Sequence, residues 1–175
     1  MAQSKNSSAE MPNGHLHELF IDELRDILGA ERQLLKGLKK MASAAESETL
    51  KKAFETHYSQ TEGQIERLKQ VFTSIGLSAR GKKCKAMEGL LEEADSIIED
   101  TDSGTLVRDA GLILAAQKVE HYEIATYGTL RVFAENMGHT EVVELLSQTL
   151  EEEKATDVAL TQIAEGFVNQ QAASE

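Results

Sequence analysis

Residues 115–130 read Ala115-Ala116-Gln117-Lys118-Val119-Glu120-His121-Tyr122-Glu123-Ile124-Ala125-Thr126-Tyr127-Gly128-Thr129-Leu130 and set ionisable side chains within an otherwise apolar helical face. At about 100° per residue, Ile113, Ala116, Gln117, Glu120, Ile124 and Tyr127 share one stripe, so Glu120 points where a core belongs. A carboxylate buried alone is costly, and it has to be protonated, hydrogen-bonded, ion-paired or bound to a cation. Two other segments repeat the pattern. Glu31 lies among Leu24, Ile27, Leu34, Leu35 and Leu38, and Glu153 lies among Leu146, Thr149, Thr156 and Leu160. Three helices are thus expected to aim carboxylates inward.

Working outward, the 175 residues suit one domain with a substantial core. Aromatics are 5%, tryptophan is absent and the single proline is Pro12, so nothing later in the chain interrupts a long helix. No period-two alternation argues for strands, and the expected class is all-α. A net charge of −12 argues against generic binding to nucleic acid or an anionic membrane, both of which would repel such a chain. The basic run Lys82-Lys83-Cys84-Lys85 reads as a solvated connector. The lone Cys84 excludes an intramolecular disulfide and a Cys-x-x-Cys metal site, though its lysine neighbours favour a thiolate. No apolar run approaches the roughly 20 residues needed to span a bilayer, and the amino terminus lacks a signal-peptide pattern. A cytoplasmic location is expected.

The periodicity predicts a mobile tail over 1–14, a bundle over 15–168 and a polar, unstructured tail over 169–175. The first helix spans about His15 to Ala45. Ser47 caps the second, which runs to about Ile75 and ends at Gly76. A long connection from Leu77 to Thr105 contains its own amphipathic helix through Met87, Leu90, Leu91, Ala94 and Ile98. A third long helix covers Leu106 to Met137, Gly138-His139 breaks it, and Thr140 reads as N-cap of a fourth running to Val168. Pair, crossover, pair describes a four-helix bundle with one long connection, here filled by an additional helix.

Bundles that hold two metals take one Glu from each of two helices and Glu-x-x-His from each of the other two. Hard carboxylate oxygens with an imidazole suit iron or manganese. This chain offers Glu31 from the first helix, His57 from the second, Glu120 and Glu123 from the third and Glu153 with Asp157 from the fourth. Any one of these alone reads as a half-exposed helix carboxylate; three on apolar stripes at comparable depth read together as a metal site. His121 and Tyr122 lie off the stripe and read as surface or interface residues, Tyr127 as core, and Lys118 and Lys154 as partners of nearby carboxylates.

Four runs carry a family resemblance: Glu62-Gly63-Gln64-Ile65-Glu66-Arg67, Ala86-Met87-Glu88-Gly89-Leu90, residues 116–125, and Leu150-Glu151-Glu152-Glu153-Lys154-Ala155-Thr156-Asp157. They are similar to those of the YciE/YciF family of bacterial ferritin-like stress proteins, and the resemblance extends from His15 onward. It implies a ferritin-like four-helix bundle, homodimers, and a di-metal centre related to that of rubrerythrins, with metal ions or small oxygen species as substrates. The chain departs from such sites at the second helix, whose inward positions read His57, Gln60, Thr61 and Gln64, and at Thr156, three residues after Glu153, where an imidazole is absent. A missing bridging carboxylate predicts weak or substoichiometric loading, and Gln60→Glu is expected to raise it. Two other readings stand beside this one: an interaction protein whose inward carboxylates are satisfied internally, and a DNA-protecting cage, which the acidic chain argues against.

Overall fold

The computed structural model describes residues 14–175, and the tail expected before Gly14 lies outside them. Among the described residues there is no strand. The helices are α1 (Gly14–Ala44), α2 (Glu48–Ser74), α3 (Lys85–Asp100), α4 (Leu106–Asn136), α5 (Thr140–Ile163) and a short α6 (Asn169–Ala172), which a π-turn (Ala164–Val168) joins to α5. The long helices close a ring in which α1 packs on α2, α2 on α5, α5 on α4 and α4 on α1, while α3 lies across α1 and α4. None of the helices is long and apolar enough to cross a membrane.

Helices α1 and α2 each bury one stripe: Phe20, Leu24, Ile27, Leu34 and Leu38 on α1, and Leu50, Phe54, Leu68 and Phe72 on α2. Helix α4 is covered on more than one side, so Leu112, Val119 and Glu123 are buried beside the expected Ile113, Ala116, Glu120 and Tyr127. The caps follow the local chemistry. Ser47 Oγ accepts from Leu50 N, and Gly76 and Gly138 adopt φ of 74° and 76° just past the ends of α2 and α4, where a side chain would be strained.

Three local expectations need correction. Thr140 is the first residue of α5 rather than its cap, which is His139 and offers no side-chain bond. The carboxy-terminal residues are ordered. The buried positions after Leu160 are Ala164 and Val168, the two ends of the π-turn, in place of the expected Ile163 and Phe167. Helix α6 follows, and the Glu175 carboxylate accepts from Leu106 N at 2.9 Å and Val107 N at 3.2 Å, which places negative charge at the α4 amino terminus. Cys84, thirdly, is no activated thiol.

The crossover explains Cys84. Lys82 N donates to Arg25 O at 2.9 Å, which lays the loop on α1 so closely that a Cβ on Gly29 would sit 1.6 Å from Lys82 O. Only glycine fits there. Gln33 then clasps Cys84 from both sides, Nε2 donating to its carbonyl at 3.1 Å and Oε1 accepting from its amide at 2.8 Å. The sulfur is fully buried, caps α3 at Met87 N and lies 3.1 Å from Tyr122 Oη, which donates to Asp26. Burial, then the nearby Asp26, push the thiol up, while Lys82 pairs with Asp22 and Lys83 with Glu88. Two of the three lysines beside the sulfur, Lys82 and Lys83, thus face carboxylates in place of the thiol.

Candidate metal centre

Four helices contribute buried polar side chains to one level of the core: Glu31 from α1, His57 with Thr61 and Gln64 from α2, Glu120 and Glu123 from α4, and Glu153 from α5. His57, Glu120, Glu123 and Glu153 each offer a ligand atom within 4.8 Å of all the others. Glu120 and Glu123 both reach this point because α4 is buried across adjacent faces, and three residues on a helix are near neighbours.

Hydrogen bonding leaves the cluster unsatisfied. His57 Nε2 lies 3.2 Å from Glu120 Oε1 and 3.9 Å from Glu153 Oε2, yet neither imidazole nitrogen has a hydrogen-bond partner among the described residues. The same holds for both oxygens of Glu123 and of Glu153, and for Glu31 Oε2, Glu120 Oε2, Thr61 Oγ1 and Gln64 Oε1. Buried polar atoms are ordinarily paired, so ten such atoms at one level of the core call for protons, water or a ligand to answer them.

Electrostatics agrees. Burial, then repulsion from the other carboxylates, raises Glu31, Glu120 and Glu123 well above the ordinary carboxylate range. Burial also raises Glu153, to about 7, although contacts with Glu120, Gln64 and Arg67 work the other way. His57 goes down to about 4 because burial penalises its cation more than Gln60 and Glu152 favour it. At neutral pH it is an uncharged imidazole, and its proximity to Glu120 is no ion pair. An uncharged imidazole beside three acidic oxygens is the donor set of a divalent cation of intermediate hardness, and such a cation would reverse the carboxyl shifts.

Two of the expected ligands are placed apart from this group. Glu31 is fully buried beside it, but Oε1 accepts from Tyr127 Oη, and only Oε2 is free. Asp157, half-buried one turn beyond Glu153, accepts from Gln117 Nε2 at 3.2 Å and lies 3.4 Å from the exposed His121, so other partners hold the carboxylate expected to ligate. Gln60 is only half-buried, whereas Thr61 and Gln64 are buried. Lys154 pairs with its near neighbour Glu151, as expected, whereas Lys118 pairs with Glu93 on α3 and not with a carboxylate of its own neighbourhood.

Sequence reasoning missed the outer support. Arg67 donates from Nη2 to Glu152 Oε1 at 2.8 Å and from Nη1 to Glu152 Oε2 at 3.0 Å, with Thr149 Oγ1 at 2.6 Å from Nη1. Gln64 Nε2 donates to the same Glu152 Oε2 at 3.1 Å. The spacing of Gln64 and Arg67 on α2, with Glu152 beside Glu153 on α5, was the available signal.

The fold and the site define an all-helical bundle protein with a carboxylate and histidine cluster in its core. The chain belongs to the family described as Domain of unknown function (DUF892), whose model matches residues 15–173. It is 51% identical over 158 residues to Protein YciF of Escherichia coli strain K12, covering 90% of this chain and 95% of that one. The crystal structure of the E. coli stress protein YciF superposes with a TM-score of 0.84 at 52% identity, over 88% of this chain and 97% of that chain. YcfI from Rhodopseudomonas palustris gives 0.81 at 40% identity, over 88% and 96%. A Xanthomonas campestris protein gives 0.67 at 23% identity, over 87% and 93%, and that likeness shows the fold alone.

Proposed function

We propose that the chain is a ferritin-like four-helix bundle, dimeric and cytoplasmic, that holds one iron or manganese ion between His57, Glu120, Glu123 and Glu153. Its role is stress protection, through oxidation of ferrous iron or removal of peroxide. The observation that carries this reading is the convergence of unpartnered buried donors on one point. When bound, such a metal supplies one-electron chemistry toward small oxygen species. The residues do the rest. His57, neutral at physiological pH, has a lone pair to donate without first losing a proton. Tyr127 fixes Glu31 through Oε1, which leaves Glu31 Oε2 without a partner beside the cluster. Apolar neighbours, Leu24, Ile27 and Phe54 among them, keep bulk water from the centre. Stress protection comes from the likeness to E. coli YciF, which is described as a stress protein.

The competing reading, a metal-free core whose carboxylates are satisfied by His57, the glutamines and ordered water, is disfavoured because neither His57 nitrogen, nor Gln64 Oε1, nor either oxygen of Glu123 and Glu153 has a hydrogen-bond partner among the described residues. The test is to load the protein anaerobically with ferrous iron or with manganese(II), desalt it and count ions per chain. One retained ion per chain is expected, and none retained from either metal would sink the proposal. Two tightly held ions would refute the single-ion stoichiometry and bring Glu31 in as a ligand.

A further inference from the structure

Beyond the four clustered residues, α2 carries one more buried side chain whose orientation is fixed. Gln64 is fully buried and its Nε2 donates to Glu152 Oε2 at 3.1 Å. A carboxylate only accepts, so the amide nitrogen has to face Glu152 and the amide cannot be turned over. Gln64 Oε1 faces away and finds no donor among the described residues. The same amide borders Glu153, one of the clustered carboxylates. Glu152 is in turn gripped by both nitrogens of the Arg67 guanidinium, which also donates to Thr149 Oγ1. A chain of guanidinium, carboxylate and amide therefore runs from the half-buried edge of the α2–α5 seam to the core, each link orienting the next.

We infer that Gln64 Oε1 is an additional, neutral oxygen ligand for a divalent cation bound by His57, Glu120, Glu123 and Glu153, and that Arg67 and Glu152 are positioning residues for it. The inference rests on the metal-binding reading above. Charge explains the residue type. Three carboxylates already exceed the charge of a divalent ion, and a fourth at position 64 would add repulsion as well as face Glu152 directly. A carboxamide adds an oxygen donor with no charge. The fit extends to Thr61, one turn earlier, whose buried hydroxyl also lacks a partner.

Cobalt(II) is the probe, because its visible bands strengthen as coordination number falls and so report the ligand count without turnover. Parent, Gln64→Leu, Glu152→Gln and the double variant Glu120→Gln/Glu153→Gln are titrated with cobalt(II), with circular dichroism checking the fold. Gln64→Leu is expected to weaken binding about tenfold and to intensify the bands. Glu152→Gln replaces a pure acceptor with an amide that can also donate, which frees Gln64 to turn over, and it is expected to show a smaller change in the same direction. It also serves where Gln64→Leu fails to fold. Affinity and spectrum unchanged in either folded variant would overturn the assignment, provided the parent binds and the double variant does not. A parent that binds no cobalt(II) overturns the metal reading itself and this inference with it.

Discussion

Asp109 and Glu123 sit on the same helix, each fully shielded from solvent, and their surroundings are opposite. Asp109 Oδ1 accepts from Glu46 N at 2.7 Å and Oδ2 accepts from Ser47 N at 2.8 Å, so the carboxylate ties the α1–α2 connection to α4 and both oxygens are satisfied. Neither oxygen of Glu123 has a partner among the described residues, and its nearest company is other carboxyls. A buried acid that the fold answers with its own amides is part of the architecture. One that the fold leaves unanswered, with three more donors within reach, costs stability unless a ligand answers it.

The largest effect that could break this contrast is on cation binding. Removing two carboxylates with Glu120→Gln/Glu153→Gln should lower affinity for manganese(II) by at least about a hundredfold, more than loss of an outer-shell partner costs. Asp109→Asn, measured beside it by titration calorimetry, should leave affinity within about threefold if the protein stays folded. An equal loss in both would mean that the two acids are one class.

Stability should show the reverse. Asp109→Ala strands two backbone amides that now meet a charged acceptor, and should destabilise the protein by about 3 kcal/mol in urea denaturation. Glu123→Gln, in metal-free protein, removes a carboxyl whose ionisation is opposed by burial and by Glu31, Glu153 and Glu120, and should stabilise by about 1–2 kcal/mol at neutral pH. A destabilising Glu123→Gln would indicate that its carboxyl is answered after all.

This contrast also marks what the sequence can show. Glu31, Glu120 and Glu153 were legible because each interrupts an apolar stripe of period 3.6, and such interruptions survive without knowledge of which helix faces which. Asp109 was not. It lies in the first turn of α4, where an acid is ordinary, and its partners are amides some sixty residues away, which no local pattern encodes. Asp157 fails for a related reason: one turn from Glu153 it shares the face, but Gln117 on the neighbouring helix takes its oxygen, and that choice is made by helix rotation. Gln60 and Gln64 differ likewise, since four residues turn a helix by a little more than a full circle and only packing against α5 decides which is covered. The helices themselves, with Ser47, Gly76 and Gly138 at their ends, follow from local chemistry and were legible to within a residue or two; the π-turn, a tertiary adjustment, was not.

The smallest effect is also the most specific. Glu153 has a folded pKa of about 7 against an ordinary value of 4.5, so the native state of metal-free protein binds its proton more tightly than the unfolded chain does. A raised carboxyl contributes stability that is fully present below pH 4.5 and is lost as pH rises through 7. His57 acts oppositely, since its folded value of about 4 lies below 6.5 and its contribution is lost as pH falls between them. The two overlap below pH 6.5, which makes the window above it the informative one. There folded His57 is neutral, and the remaining titration of its unfolded form is common to parent and variant and cancels. Between pH 6.5 and 8 metal-free parent should lose about 1 kcal/mol more than Glu153→Gln does, a difference that cancels the background from the acidic surface. Saturating manganese(II) should remove it, because a bound cation holds the carboxylate ionised at both pH values. Urea midpoints of the two proteins at the two pH values, with and without the ion, read this directly. If parent and variant fall in parallel without metal, Glu153 is answered within the fold as Asp109 is.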